Sequence, residues 1–359
     1  MSNFIVCATR SMHNYASGVI SCLSKYLTFN NIANQINGIE LLGTDRFADG
    51  ELEVTVNESI RGKDVVIFSS CARNQAGISV EEAKIELYHA IDALKRSQAN
   101  KIIVFEPFIS CARSDRTTRR SSVGLWVHLK TLFGLGATHI VTYQLHSDKS
   151  KTMLDPVICA IDDIPALNLL QKYLCDVYIK TADFLEQTVR NNWAFCSVDA
   201  GGEKLARVFA DSFGAPLVIA HKQRDYSKPN TIESINILSA ESLEDKILWI
   251  VDDMIDTACS VETLIRALAA HKPREINIAA VHALFSPPAR ERLKALVKEG
   301  LLNHTIVTDT VYSDALINDI DNLEVVNSYE LSAKVIKAII NNETMSKIMR
   351  RFDAGVYLS

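Results

Sequence analysis

Several features are missing from this sequence of 359 residues. No apolar run approaches the roughly 20 residues that a membrane span requires, and no secretory leader is recognisable at the N-terminus. The eight cysteines are scattered singly without a C-x-x-C pair, so neither a zinc site nor a disulfide framework is indicated. The formal net charge is −5, and no basic stripe offers a surface to nucleic acid or to an anionic membrane. We therefore expect a cytoplasmic protein with reduced thiols that binds neither nucleic acid nor membrane.

Length and composition are those of a globular protein with a substantial core. Hydrophobic residues make up 48% of the chain and charged residues 23%. At about 150 residues per domain, the length suggests two domains. Apolar periodicity is lost over residues 148–165, which contain Asp155-Pro156 and Pro165, so the connection between the domains is expected there. We place the domains at residues 1–160 and 161–359.

One stretch combines a buried strand, acidic residues and a helix start. Ile247 to Val251 are uniformly apolar, which is typical of a strand inside a parallel sheet, and Asp252, Asp253 and Asp256 follow. A turn with hydroxyl groups then opens an amphipathic helix. Ligands of open α/β sheets bind beyond the carboxyl ends of strands, and helix N-termini attract anions. Two acids alone would suit a solvated loop, but the third acid with Thr257 and Ser260 favours a phosphate site beside a polyol or metal.

The stretch from Val251 to Ser260 resembles the phosphoribosyl-pyrophosphate loop of type I phosphoribosyltransferases and of ribose-phosphate pyrophosphokinases, the phosphoribosyl-pyrophosphate synthetases. The loop alone does not separate these families. It differs from the usual pattern, glycine then threonine, at Cys259 and Ser260. If position 259 required a positive φ, its Cβ would cost about 1–2 kcal/mol. The ribose 5-phosphate-binding residues that the resemblance implies are Arg224, Asp252, Asp253, Asp256, Thr257, Ala258, Cys259 and Ser260.

Two further segments resemble the synthetases and not the transferases. Phe47-Ala-Asp-Gly-Glu51, with the Asn57–Asp64 run after it, is similar to a segment that in the synthetases reaches into the neighbouring subunit and holds the adenine and ribose of ATP. The resemblance implies that Phe47 is the ring that stacks on ATP and that Asp49 and Glu51 are its polar contacts with ATP, with Gly50 also in the ATP-binding segment. Without it, Asp49-Gly50 would be read as a hairpin turn.

The second of these segments is rich in arginine. Residues 113–120 hold four arginines and one acid, a composition that suits polyphosphate oxygens and equally a solvated charge run. Its similarity to the family's alanine-arginine-glutamine-aspartate-arginine motif favours ATP. The implied contacts are Arg113, Ser114, Asp115 and Arg116, with Ser114 standing where the family has glutamine.

Two residues are implied as ligands of Mg²⁺. His146 ends a predicted strand where the family's histidine serves the magnesium of MgATP, although the family's preceding aspartate is here Gln144. Asp199, followed by Ala-Gly201-Gly202, stands where the family's acid faces a metal-bound ligand. Taken without the family, Asp199 fits a structural turn equally well, since glycines after a strand allow close backbone approach.

Lys222 and Arg224 are the candidate catalytic residues. They lie two apart on a predicted extended segment, so their side chains should point the same way and could hold the phosphates being transferred. The resemblance matches them to the family's two key cations and leaves Gln223 facing away.

The family resemblance implies an α/β fold of two tandem type I phosphoribosyltransferase-like domains, each a mainly parallel sheet flanked by helices. It implies transfer of the pyrophosphoryl group of MgATP to ribose 5-phosphate, giving 5-phosphoribosyl 1-pyrophosphate and AMP, by a homo-oligomer, a hexamer built from dimers. Two alternatives stay open. One is a regulatory, catalytically weak paralogue that assembles with true synthetases, suggested by Ser114, Gln144 and Cys259. The other is a phosphoribosyltransferase, against which residues 47–51 and 113–116 count.

Overall fold

The computed structural model describes residues 4–27, 36–72, 74, 76–117, 120–224, 232–311 and 319–359, and the side chains of these residues except 222–224 and 232–234. The described residues group into two compact units. The first comprises the described parts of 1–165, 310–313 and 327–349, and the second those of 166–309, 314–326 and 350–359. No helix in the described part of the chain is long and apolar enough to cross a membrane.

The first unit is built on a parallel sheet of five strands in the order β1-β4-β5-β6-β7. Every residue of its β1 and β5 is buried, as expected for strands with helices on both faces. The strands of this unit, including a separate antiparallel pair, are β1 (Phe4–Ala8), β2 (Leu42–Arg46), β3 (Leu52–Val56), β4 (Asp64–Phe68), β5 (Ile102–Glu106), β6 (His139–Tyr143) and β7 (Ala160–Ile164).

The described part of the first 165 residues contains the α-helices α1 (His13–Tyr26), α2 (Val80–Arg96) and α3 (Gly124–Leu135). The start of α2 follows from local chemistry, because the side chain of Ser79 accepts a hydrogen bond from the amide of Glu82 (3.1 Å). Acids in its first turn and bases in its last complement the helix dipole. Its buried residues, among them Ala83, Leu87, Ala90 and Leu94, form one stripe along the helix.

The second unit contains a sheet of seven strands in the order β10-β9-β8-β11-β12-β13-β14. Only the β9–β10 pair is antiparallel, and the other pairs are parallel. Its strands are β8 (Trp193–Ser197), β9 (Leu217–Arg224), β10 (Ile232–Leu238), β11 (Ile247–Ile255), β12 (Glu275–Ala283), β13 (His304–Thr308) and β14 (Leu323–Val326). The prediction of two α/β units with mainly parallel sheets is therefore confirmed.

The longer helices of the second unit are α4 (Leu167–Tyr173), α5 (Glu203–Phe213), α6 (Cys259–Ala269) and α7 (Ala289–Lys298). A π-helical segment, Leu174–Ile179, continues α4, and a second one spans Leu185–Val189. Shorter helices cover Ala182–Phe184, Arg190–Asn192 and Ala354–Leu358. The apolar stripe of α6 is buried against the sheet through Val261, Leu264, Ile265 and Leu268.

A late segment belongs to the first unit. Helix α8 (Tyr329–Ile340) packs along α1, and a short helix, Ser346–Met349, follows. Gly18 permits this packing, because a Cβ at its position would lie 2.3 Å from the ring of Tyr329. The hydroxyl of Tyr15 also lies 2.6 Å from that of Ser328 and 2.8 Å from that of Ser332.

The predicted boundary between residues 160 and 161 stays a prediction.

Candidate active site

The two adjacent acids of the central loop lie within a strand and not after it. The apolar run had predicted that the strand ends at Val251, but β11 continues to Ile255 because its pairing with β12 continues to Ala283. Pairing with β8 on the other side stops at Val251 and Ser197. Asp252 and Asp253 therefore lie past the end of β8, where one side of β11 is no longer covered by a neighbouring strand.

The turn after β11 leads directly into α6. Ala258 has a φ of +58° in the left-handed region, and Cys259 is the first residue of the helix. The condition under which a Cβ at position 259 would be costly is therefore not met, and a cost of ~1 kcal/mol falls on Ala258 instead. The first helical hydrogen bond runs from the amide of Glu262 to the carbonyl of Ala258 (2.9 Å). The amides of Cys259 to Val261 precede it, and at any helix N-terminus such amides favour the approach of an anion.

Asp199 organises the turn after β8. Its Oδ1 accepts hydrogen bonds from the amides of Gly201 (2.9 Å) and Gly202 (3.1 Å), directly before α5 begins at Glu203. A Cβ on Gly201 would lie 3.1 Å from the same oxygen, closer than is comfortable. The turn that sequence reasoning kept as an alternative is therefore present, and its acid lies at the same sheet edge as the acids of β11.

The charges at this edge repel one another. Asp252 is half-buried, and burial raises the pKa of its carboxyl well above the ordinary range; the negative charge of Asp253 raises it further, and that of Asp199 contributes as well. Asp253 is buried, and its amide donates to Oδ1 of Asp252 (2.9 Å). The structure thus brings Asp199, Asp252 and Asp253 together. A cation or the hydroxyl groups of a sugar would compensate this concentration of negative charge.

Lys222 and Arg224 lie on β9, the neighbour of β8 in the order β9-β8-β11. Their backbones pair with β10 opposite Ile235 and Ile232. Both are near the carboxyl end of their strand, which is the same sheet edge as the acidic turn. Their side chains are outside the described part of the structure, so the predicted common direction stays a prediction.

The arginine-rich segment, one of the two predicted nucleotide-binding segments of the first unit, follows β5. Arg113 and Arg116 are exposed, and Ser114 and Asp115 are half-buried. The hydroxyl of Ser114 accepts a hydrogen bond from the amide of Gly124 (2.9 Å), and its carbonyl accepts from the amide of Leu125 (3.1 Å). Ser114 therefore caps the first turn of α3 and closes the base of the arginine-rich segment.

The Phe47–Glu51 segment forms the tip of the β2–β3 hairpin. The amide of Phe47 donates to the carbonyl of Glu51 (2.9 Å), and that of Gly50 to the carbonyl of Phe47 (2.9 Å). Gly50 has a φ of +95°, which explains glycine there. The hairpin reading is therefore correct for the backbone, and the tip presents Phe47 with 53% of its surface exposed, as a stacking residue would be.

His146 follows β6 and is exposed, at the carboxyl edge of the first sheet. Within the described residues, no group of three or more histidine, cysteine, aspartate or glutamate side chains is arranged to hold a metal ion. Magnesium does not require such a group, because it is usually held by one or two carboxylates together with substrate phosphates and water. The carboxylates of Asp199 and Asp252 are suitable oxygen donors for that arrangement.

Two features of these edges escaped sequence reasoning. Arg292, on α7, contacts the turn before α6. In the first unit, a buried pair joins Nε2 of His128 to Oε2 of Glu106 (2.7 Å), and the hydroxyl of Tyr88 lies 2.8 Å from Nδ1 of the same histidine. Only the unusual glutamate at the end of an otherwise apolar β5 could have signalled this pair.

The folds and sites described above define an α/β protein with two phosphoribosyltransferase-like units. Residues 18–136 match the family described as the N-terminal domain of ribose phosphate pyrophosphokinase, and residues 173–313 match the phosphoribosyl transferase domain. The chain is 32% identical to a ribose-phosphate pyrophosphokinase of Campylobacter jejuni over 85% of its own length and 90% of the relative's. The chain belongs to the ribose-phosphate pyrophosphokinase family.

Two further similarities extend over nearly the whole chain. A ribose-phosphate pyrophosphokinase of Mycoplasma genitalium is 31% identical over 336 residues, which are 93% of this chain and 94% of the relative. The crystal structure of phosphoribosylpyrophosphate synthetase from Mycobacterium smegmatis superimposes with a TM-score of 0.78 and 26% identity, covering 95% of this chain and 99% of that one. The predicted family resemblance is therefore confirmed for both halves.

Proposed function

We propose that the protein is a ribose-phosphate diphosphokinase, which transfers the pyrophosphoryl group of MgATP to the anomeric hydroxyl of ribose 5-phosphate and releases AMP. The observation that carries the proposal is the acidic end of β11, directly before α6. It lies beside Asp199, which follows the neighbouring strand β8, and Lys222 and Arg224 lie on β9, on the other side of β8. Full-length similarity to ribose-phosphate pyrophosphokinases supports the same reaction. The product places the enzyme in nucleotide biosynthesis.

The second unit binds ribose 5-phosphate. The amides at the start of α6 bind the 5-phosphate, with the side chains of Thr257 and Ser260 beside them. Asp252 and Asp253 accept hydrogen bonds from the ribose hydroxyls, and Asp256 closes the turn together with Ala258 and Cys259. Lys222 and Arg224 neutralise charge on the transferring oxygens, with Arg224 also contacting ribose 5-phosphate. Phosphoryl-type transfer requires chiefly such alignment and charge compensation.

The first unit provides the nucleotide contacts. Phe47 stacks on adenine, while Asp49, Gly50 and Glu51 contact the nucleoside. Arg113 and Arg116 bind phosphate oxygens through their planar guanidinium groups, supported by Asp115. Ser114 contributes by fixing the segment to α3, a role supported by its hydrogen bond with Gly124.

Mg²⁺ is the cofactor of this proposal, with His146 serving the metal of MgATP and Asp199 a second ion. The bound ion supplies positive charge that compensates the polyphosphate. The proposal also includes a cytoplasmic homo-oligomer, a hexamer built from dimers, since in this family the hairpin of one subunit completes the ATP site of its neighbour.

The decisive experiment measures AMP formation from ATP, ribose 5-phosphate and Mg²⁺ in phosphate buffer. Lys222→Ala should abolish turnover, whereas Lys298→Ala, an exposed lysine at the end of α7, should retain it. The proposal is refuted by a folded wild-type protein that forms no AMP, and that result together with binding to an active synthetase would indicate a regulatory paralogue.

A further inference from the structure

Arg292 contacts the ribose 5-phosphate loop from outside it. Its Nη1 donates a hydrogen bond to the carbonyl of Thr257 (2.9 Å), and its Nε lies 3.1 Å from Oε2 of Glu262 in the first turn of α6. The side chains of Arg292 and Glu262 are 29% and 25% exposed, so both contacts are partly shielded from water. One guanidinium group therefore binds both the turn, at Thr257, and the helix that follows it, at Glu262.

We propose that Arg292 is a positioning residue for ribose 5-phosphate, holding the turn in the conformation that presents its amides to the 5-phosphate. This inference rests on the proposed function. Arg292 itself is not assigned a contact with the substrate, because its charge is shared between a backbone carbonyl and Glu262.

The physical reason lies in the peptide between Thr257 and Ala258. A trans peptide is planar, with its carbonyl and its amide hydrogen on opposite sides. Fixing the carbonyl of Thr257 on Arg292 therefore directs the amide of Ala258 away from Arg292. Ala258 has a φ of +58°, a conformation that alanine adopts at a cost, so the turn needs an outside contact to maintain it. A hydrogen bond from a charged donor is among the strongest available.

The neighbouring Arg266 provides a matched control. It also binds Glu262, through Nη2 (3.2 Å) and Nε (3.3 Å), and its other contacts are with Glu299 at 2.6 and 3.1 Å. Arg266 lies on α6, and in the described part of the structure its side chain pairs with Glu262 and Glu299 and not with the carbonyl of Thr257. Removing Arg266 therefore weakens the pairing of Glu262 and leaves the carbonyl contact in place.

The test is steady-state kinetics of Arg292→Gln, Arg292→Lys and Arg266→Gln, with separate titration of each substrate. Loss of a charge-assisted hydrogen bond should raise KM for ribose 5-phosphate about tenfold or more in Arg292→Gln. Arg292→Lys should raise KM for ribose 5-phosphate less, because the ammonium group keeps the positive charge but lacks the several donors of the planar guanidinium group. KM for ATP and kcat should stay within about twofold, and Arg266→Gln should match the wild type.

A second variant distinguishes a positioning role from a general loss of structure. Glycine adopts a positive φ freely, so the turn of an Ala258→Gly variant should depend less on Arg292. The double variant Ala258→Gly, Arg292→Gln should therefore have a lower KM for ribose 5-phosphate than Arg292→Gln alone. Calorimetric binding of ribose 5-phosphate without ATP should show the same order of affinities. Equal effects of Arg266→Gln and Arg292→Gln, or no effect of either in an active enzyme, would overturn the positioning role alone. A wild-type protein that neither forms AMP nor binds ribose 5-phosphate would overturn the proposed function as well.

Discussion

The amide of Asp253 donates a hydrogen bond of 2.9 Å to Oδ1 of Asp252, so the backbone partly stabilises a carboxylate that its surroundings destabilise. Burial and the nearby negative charges prevail, and the pKa of Asp252 lies well above its ordinary range. The loop is therefore strained electrostatically without its ligand. Ligand hydroxyls or a cation would favour the ionised form, so binding should release protons in the pH range between the free and bound pKa values.

Asp252→Asn should raise the thermal stability of the ligand-free protein at neutral pH. The folded-state pKa of Asp252 exceeds the unfolded value of about 3.9. As pH rises from that value to the folded pKa, the unfolded chain loses its proton first, so the wild type loses stability over this window. Tm measured at several pH values with a chelator should show a gap between variant and wild type that widens with pH.

Asp245→Asn is the control of opposite sign. Asp245 is exposed, and its hydrogen bonds with Arg274 lower the pKa of its carboxyl. This substitution should leave Tm unchanged or slightly lower it, since exposed ion pairs contribute little. If Asp252→Asn and the wild type had the same Tm at every pH, the proposed repulsion between the carboxylates would be contradicted.

Cys259 should be the first cysteine to react with a maleimide, and ribose 5-phosphate should protect it. It is the only exposed cysteine among the described residues, and it occupies the first position of α6. An adduct there would occupy the proposed phosphate position. Mass spectrometry after brief labelling identifies the modified residue, and Cys259→Ser removes the site. Rapid labelling that ribose 5-phosphate does not slow would argue against phosphate binding at this helix start.

Ser114→Ala should loosen the start of α3. It removes the acceptor for the amide of Gly124, a contact equivalent to a helix cap and worth about 0.5–2 kcal/mol. Hydrogen exchange of the first-turn amides of α3 should accelerate accordingly, while Ser114→Thr, which keeps the hydroxyl, should resemble the wild type. KM for ATP should rise in the alanine variant only, because the cap fixes the base of the arginine-rich segment.

The sequence patterns predicted the architecture of the sheets more completely than the local backbone geometry of the loop. The continuous apolar run Ile247 to Val251 identified the buried strand β11, and the acids after it identified the loop, because burial and charge depend on residue type. The extension of β11 to Ile255 was missed, since it depends on pairing with β12 beyond the end of β8. The left-handed conformation of Ala258 was not predicted, because φ is set by how the turn meets its helix.

Contacts between distant segments were the least accessible to sequence reasoning. Arg292 binds a carbonyl, and every residue has a carbonyl, so no residue type at position 257 could reveal the pair. The packing of Tyr329 over Gly18 joins residues more than 300 positions apart. Such contacts leave no periodic pattern in the sequence.

The buried pair of Glu106 and His128 allows a test of how the first unit holds α3. Both side chains are essentially inaccessible, at 0% and 1% exposed. His128→Leu leaves a buried carboxyl without its imidazole partner, which should cost about 3–5 kcal/mol, whereas the double variant Glu106→Leu, His128→Leu removes both polar groups and should recover much of that loss. Hydrogen exchange of the β5 amides gives the opening free energies for the double-mutant cycle. A double variant less stable than His128→Leu would contradict this expectation, because it would show that Glu106 stabilises the unit even without His128.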